Sequence, residues 1–524
     1  MLLTFRDVEI DTSLFTLRVG KQVSHVEPQV FDLIVYLAQH RDRIVSQQEL
    51  FETLWAGKVV TESSLRSCIK AARQAVGDSG DLQNCIATIR HRGYRFVAAA
   101  QAIEGAESKL ATLLTPATGL AKTDTITAGP RRASIAVMPF ADLSAPSESR
   151  AGIADALVHD VIFQLAQMRI LFVIAQGSVF APHVRRLEAH EAGRLLQVDY
   201  VVSGSLRVEN ARLSLSLELA ETCTGRIVWV EDFCEAMDDA LLVLNQIGGK
   251  IVASVASEVE LTERNRAILR PPDSLDAWEA YHRGLWHMYR FNQQDNQQAQ
   301  HFFDMAVRLD PSFSRAYTGL SFTHFQNAFQ GWAPRETQVN LAFKTASLSL
   351  EADERNPAAH LAMGRALWLR GDQAQSVSEL GQTIDLSPSF ALGHYTLAFV
   401  QAQAGDPHAA ILSSDHSRLL SPFDPLLFGM LGARAIAHVR LSQFSEAAEW
   451  AVKAAARPNA HIHILALAAF CLALADSLTE ARSLVAAIRK LQAQYKVDDF
   501  ILAFRFDAQG ASLFRQGARL IDMA

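Results

Sequence analysis

Cysteine is scarce in this chain and badly placed for either of its structural uses. The five residues, Cys68, Cys85, Cys223, Cys234 and Cys471, are scattered, odd in number and never spaced C-x-x-C, so neither a disulfide framework nor a zinc site is indicated. Long apolar runs are missing too. The longest, Ile464 to Ala475, is far shorter than a membrane span, and Met1 to Phe5 lacks a basic segment leading into an apolar one. The expectation is a protein of a reducing cytoplasm with no membrane partner. Also absent are G-x-x-x-x-G-K-[ST], G-x-G-x-x-G after a strand, and G-x-S-x-G, so nucleotide hydrolysis, dinucleotide chemistry and serine hydrolysis lack their usual scaffolds. No catalytic residue, cofactor or metal is expected. The pairs His461/His463 and His183/His190 lack metal-site spacing and read as surface or packing residues.

What is present is globular: 524 residues, 49% hydrophobic and 20% charged, too long for one core and suited to about three domains. The net charge of -7 argues against a general polyanion binder, but the charge is unevenly spread. Residues 58 to 95 hold Lys58, Arg66, Lys70, Arg73, Arg90, Arg92 and Arg95 against three acids, and nucleic acid is the natural partner of such a segment.

The pattern around those cations has a recognisable order. Residues 2 to 23 alternate as short strands. From Pro28, Val30, Leu33, Ile34 and Leu37 then recur with helical spacing. A second helix opens with Ser46 and Glu49 in capping-box spacing and runs through Leu50 and Leu54 to Trp55. A third, from about Thr61, places Leu65, Ile69, Ala72 and Val76 on one face and stops at Gly77. Its outer faces are expected to carry Arg66, Ser67, Lys70, Arg73 and Gln74. Ile86 to Val97 reads as a hairpin with its tip at His91-Arg92-Gly93, in which Tyr94 and Phe96 supply packing rather than contacts to a ligand.

Trp55, the 65–76 helix, Thr88-Ile89-Arg90 and Gly93-Tyr94-Arg95-Phe96 together resemble the OmpR/PhoB-type winged helix-turn-helix. The resemblance implies that the third helix enters the major groove of double-stranded promoter DNA while the wing approaches the minor groove. The expected DNA-binding set is Trp55, Arg66, Ser67, Lys70, Arg73, Gln74, Thr88, Arg90 and Arg92, with Trp55 and Thr88 on the backbone. It also implies Ala56, Gly57, Lys58, Val59 and Val60, between the second and third helices, as a contact for RNA polymerase. Where the family often has a second basic residue beside Lys70 this chain has Ala71, so base preference does not carry over. In response regulators a receiver precedes this domain; here it starts at Met1, so input by phosphorylation is not expected.

Residues 99–133, rich in Ala, Thr and Gly, read as a flexible linker whose ~35 residues would span roughly 30 Å as a coil. From Ser134 a small α/β domain is expected to residue 262, with strands at 134–140, 171–175, 200–208, 213–219 and 227–230 and a helix near 186–197. Ser134 to Phe140, Gly152 to Leu157, Leu171 to Ala175, Val198 to Arg207 and Glu221 to Trp229 resemble the TolB-amino-terminal-like domain, which implies a fold and no catalytic residues. Similar segments accompany adenylate cyclase domains, but those need a separate catalytic domain for which no length remains. From 272 to 524, Pro357, Pro388, Pro422 and Pro458 lie 31, 34 and 36 apart, with small residues Gly364, Gly371, Ala398, Gly405 and Ala410 between them. This resembles tetratricopeptide repeats, which imply an α-solenoid gripping a protein or peptide. Trp278, Trp286 and Trp368 are read as packing between its helices.

The whole is multidomain, α+β and all-α: a winged helix-turn-helix at 1–98, a small α/β domain, then a TPR-type α-solenoid, an order that resembles HilA-like transcriptional regulators. The leading expectation is a one-component, sequence-specific transcriptional regulator, with self-association as a further expected interaction. A TPR scaffold localised to DNA, and a nucleotide-binding sensor through residues 134–262, are the alternatives.

Overall fold

The structure, a computed structural model, describes residues 2–103 apart from 6–7, 12–15, 20–21, 25–27, 42, 48, 51–61, 79–82, 90–91 and 99–100, and residues 132–524 apart from 145–151, 182–183, 186 and 237–239. The chain divides into two compact units, Met1–Ala128 with Leu269–Asp273 and Gly129–Ile268 with Ser274–Ala524.

In the first unit, alternation in the opening residues produces an antiparallel sheet: β1 (Leu2–Phe5), β2 (Val8–Asp11), β3 (Thr16–Val19) and β4 (Gln22–Ser24) pair in sequence order. Its fifth strand, β7 (Gln101–Ile103), pairs with β1. The reading of 99–133 as linker throughout is therefore corrected over these three residues: the backbone groups of β1 on the side away from β2 would otherwise lack ladder partners, and β7 supplies them. The Pro28–Gln39 helix buries Val30, Leu33, Ile34 and Leu37, the stripe read from the sequence, together with Phe31. Phe5, Val8, Ile10 and Leu17 complete that core, and Phe5 meets Phe96 edge-on with ring centroids 5.0 Å apart.

The second unit fuses what the sequence divides at 262–272. Its sheet runs β10 (Phe172–Val173), β8 (Ser134–Val137), β11 (Tyr200–Glu209), β12 (Arg212–Glu221), β13 (Ile227–Ala236), with β9 (Ala141–Asp142) also on β11. The short strands around β8 are parallel, and the last three form an antiparallel meander. The 29-residue Ala240–Ile268 helix runs through position 262 without a break and packs on this sheet. Fourteen helices come after it, from Ala277–Met288 to Ala508–Arg519, in successive packed pairs. One hydrophobic core joins sheet and repeats.

Small residues set the helix spacing, as the repeat pattern implies. An added Cβ on Gly284 or on Gly319 would lie 2.6 or 2.7 Å from the Phe303 ring, which is wedged between them, and one on Gly364 would lie 2.7 Å from Leu380. Trp278 and Trp368 are each 2% exposed, packed as expected.

At the seam a polar network sits within the dry core. Glu263, 4% exposed, accepts from Tyr200 Oη at 2.6 Å, from Trp278 Nε1 at 2.6 Å and from Arg266 Nη1 at 2.8 Å, while Arg266 also pairs with Glu221. A strand, the long helix and the first repeat helix thus share one carboxylate. Arg169 adds a 2.7 Å pair to Asp353, and buried Arg315 donates to the Met168 carbonyl at 3.0 Å. No described helix is long and apolar enough to cross a membrane.

Candidate nucleic-acid interface

The helix that carries the basic residues, Glu62–Ala75, forms because apolar residues recur every third or fourth position; Leu65, Cys68, Ile69, Ala72 and the adjoining Val76 are buried. Gly77, at φ +68°, stops it. The N–H of Gly77 donates to Gln74 O at 3.2 Å and that of Asp78 to Arg73 O at 2.8 Å, the two bonds of a Schellman ending.

The same turn fastens the wing. Asp78, 6% exposed, accepts from the backbone N–H of Asn84 at 2.9 Å, Cys85 at 2.7 Å and Ile86 at 3.1 Å. Those residues lead into β5 (Ile86–Ile89), which pairs with β6 (Gly93–Phe96) as the wing hairpin. On the other side, Tyr94 and Val45 exchange backbone hydrogen bonds of 2.8 and 2.9 Å. Gly93 makes this approach possible, since at φ +131° a Cβ there would lie 2.0 Å from Val45 O. Burial alternates along β6 as expected: Tyr94 and Phe96 are buried and Arg95 is exposed.

The expected site residues part into three groups. Lys70 and Gln74 on the helix and Arg92 on the wing are exposed. Arg66 and Ser67 lie on the same helix with their side chains outside the described residues, as do Trp55, Ala56, Gly57, Lys58, Val59, Val60 and Arg90 in full. Arg73 corrects its expectation. It is 9% exposed, and its guanidinium donates to Ile86 O at 3.0 Å and to Thr88 Oγ1 at 2.8 Å. At ~100° per residue, Arg73 falls about 80° round from Leu65, on the shoulder of the buried stripe, where a long side chain buries its stem and reaches a neighbouring strand. Thr88 is exposed, but its hydroxyl receives Arg73 and its N–H donates to Gln83 Oε1 at 2.7 Å.

Three residues outside the expected DNA-binding set also contribute. Asp78 joins helix to wing, and its signal is an acid directly after a helix-stopping glycine. Arg95 adds an exposed cation to the wing, foretold by its place between Tyr94 and Phe96. Glu49 neutralises Arg43 through bonds of 2.8 and 2.5 Å and accepts Tyr36 Oη at 2.7 Å. Burial pushes the Glu49 carboxyl up, but these bonds outweigh it and hold it below the usual carboxylate range. Ser46 Oγ accepts from Glu49 N at 3.1 Å, the N-cap bond expected for the second helix. Among the described residues, Lys70, Arg92 and Arg95 have no carboxylate at ion-pair distance, which leaves their charge available to a polyanion.

Comparison with known proteins points the same way. Residues 20–96 match the family model for the C-terminal domain of transcriptional regulatory proteins, and residues 131–247 that for the second domain of HilA/YgeH-like transcriptional regulators. The chain is 27% identical over 245 residues to putative adenylate cyclase 3 of Rhizobium meliloti, covering 46% of this chain and 41% of that protein. Over 81 residues it is 33% identical to the transcriptional activator CadC of Escherichia coli, 15% of this chain and 16% of that one. With the transcriptional regulator HilA of Salmonella typhi it shares 21% identity over 358 residues, 67% of this chain and 58% of that one. The chain thus spans less than two thirds of the length of each of these relatives. Residues 20–96, folded around the Glu62–Ala75 helix, are an OmpR/PhoB-type DNA-binding domain of the transcriptional regulators, and residues 131–247 are a HilA-like second domain.

Proposed function

We propose that this protein is a sequence-specific, one-component transcriptional regulator whose first unit reads promoter DNA and whose helical repeats engage a protein or peptide. The observation that carries this reading is the double tether of the wing. Arg73 and Asp78 fix it to the end of the Glu62–Ala75 helix, so Lys70 and Gln74 on the helix and Arg92 on the hairpin are presented by one rigid body. A protein with such a body meets major and minor groove together without ordering a loop on binding, which favours affinity. Lys70 and Gln74 are one turn apart and exposed, the spacing that lets two side chains of one helix address successive base edges. Arg66, Ser67 and Arg90 belong to the same proposed set, with Trp55 and Thr88 on phosphates. The 56–60 segment is the proposed RNA polymerase contact, and loss of reporter activation with DNA binding intact is the outcome expected on replacing it.

The test is a fluorescence-anisotropy titration of the full chain against its own upstream DNA and unrelated DNA at several salt concentrations. Preference for the upstream sequence with a steep salt slope is the result expected. Equal, weak binding to both at low salt would overturn sequence reading.

A further inference from the structure

The first helices of five consecutive repeat pairs, from Ser314–Phe329 to Ile462–Leu474, contribute to one partly open cavity. Its walls are aromatic, with Phe325, Phe329, Phe399 and Phe428 among them, and Phe504 closes one side. Such a lining suits an apolar body. It also holds polar groups that an apolar core would not need.

Arg365, 8% exposed, lines the cavity over the Phe322 ring, 4.5 Å from its centroid, and its Nη2 has no hydrogen-bond partner in the protein. Thr396, 2% exposed, lines the same cavity with an unpartnered Oγ1, and His461 adds an unpartnered Nδ1. Among the described residues no carboxylate lies within ion-pair distance of Arg365. The acid whose field reaches it, Asp424, has its oxygens taken by Leu426 N at 2.8 Å and Ser421 Oγ at 3.1 Å. Burial brings the Arg365 guanidinium down to about 10, so it is still a cation at neutral pH, while burial holds the His461 ring well below its usual range and neutral. The cavity therefore carries one positive charge and a hydroxyl donor inside aromatic walls. That combination matches a monoanion with planar acceptor oxygens, because a guanidinium binds a carboxylate through paired donors and a second negative charge would find no counterpart.

We infer that this cavity binds a small monocarboxylic acid with an apolar or aromatic body, its carboxylate on Arg365 and Thr396 and its body among Phe329, Phe399 and Phe428. The site is independent of the DNA-binding reading and stands or falls separately from it.

The experiment is isothermal titration calorimetry of the full chain with phenylacetate and octanoate, each beside its neutral amide, on the parent protein and on Arg365→Met and Thr396→Val. The acids are expected to bind at least tenfold more tightly than the amides. Arg365→Met should abolish that preference while its thermal midpoint stays level or rises, because a buried, unpaired charge has gone; a residue with a purely structural role would lower the midpoint instead. Thr396→Val, which exchanges a hydroxyl for a methyl group without altering charge, should weaken the acids about threefold. Acid and amide binding alike, no binding of either at millimolar concentration, or an undiminished preference in both variants would overturn the proposal.

Discussion

The two units hold their working surfaces in place by different means. In the first, the wing is positioned by discrete polar links: one arginine to a carbonyl and a hydroxyl, one aspartate to three backbone N–H groups, and one glycine that lets two backbones meet. In the second, sheet and repeats share a continuous core, and the polar network around Glu263 is enclosed within it. Discrete links can fail singly, leaving the rest of the fold intact. A shared core fails together, because every element buries apolar surface against its neighbours. The small unit should therefore lose function through local changes, and the large one should unfold as one body.

The largest effect should come from the seam. Glu263→Ala leaves Arg266 short of a counterion and strips Tyr200 and Trp278 of their acceptor, a loss of ~3–5 kcal/mol. Chemical denaturation should show one cooperative transition moved to lower denaturant; separate transitions for sheet and repeats would break the comparison. Next is Gly93→Ala. With a Cβ 2.0 Å from Val45 O, the hairpin must shift, at a cost on the order of 3 kcal/mol to the first unit alone. Differential scanning calorimetry should show the smaller transition displaced and the larger one unmoved.

Asp424 adds a pH test of the large unit. Burial raises its carboxyl to about 6, above the ordinary value of 3.8. The folded state thus binds this proton more tightly than the unfolded chain does. Stability from this group is full below about pH 4 and is lost as pH rises through about 6, up to ~3 kcal/mol in all. Asp424→Asn should remove that slope, measured by urea unfolding at pH 4, 5, 6 and 7. An identical slope in the variant would place the titration elsewhere. Smaller again is Arg73→Met, which keeps the aliphatic stem and removes both donors. Its expected cost is ~2 kcal/mol in the first unit, with DNA binding weakened alike for all sequences as the wing loosens.

How much of this is legible without a structure divides along the same line. The 65–69–72–76 stripe and the alternation at Tyr94 and Phe96 are period signals, and periodicity reports burial directly, so the helix and wing are readable from residue order. Arg73 is not, because charge says nothing about which partner a guanidinium meets and its shoulder position serves an outward or a tethering role equally well. The short strand β7 hides in an Ala- and Thr-rich stretch because three residues carry almost no pattern. The repeats announce themselves through prolines and small residues, but the unbroken Ala240–Ile268 helix does not. Its mixed sequence packs on several partners at once, so no single apolar face emerges. The polar lining of the repeat cavity is equally silent, since Arg365, Thr396 and His461 come together only through the winding of the helices.

The central claim is that the Glu62–Ala75 helix reads DNA through its exposed residues while Arg73 only holds the wing. Anisotropy titrations of Lys70→Ala, Gln74→Ala and Arg73→Met against the upstream sequence and against single-base variants of it test this directly. The account predicts that Lys70→Ala or Gln74→Ala costs ~1–3 kcal/mol and relaxes discrimination at particular base pairs without changing stability, whereas Arg73→Met lowers stability and affinity and leaves base preference intact. Discrimination lost in Arg73→Met and retained in the other two would contradict it.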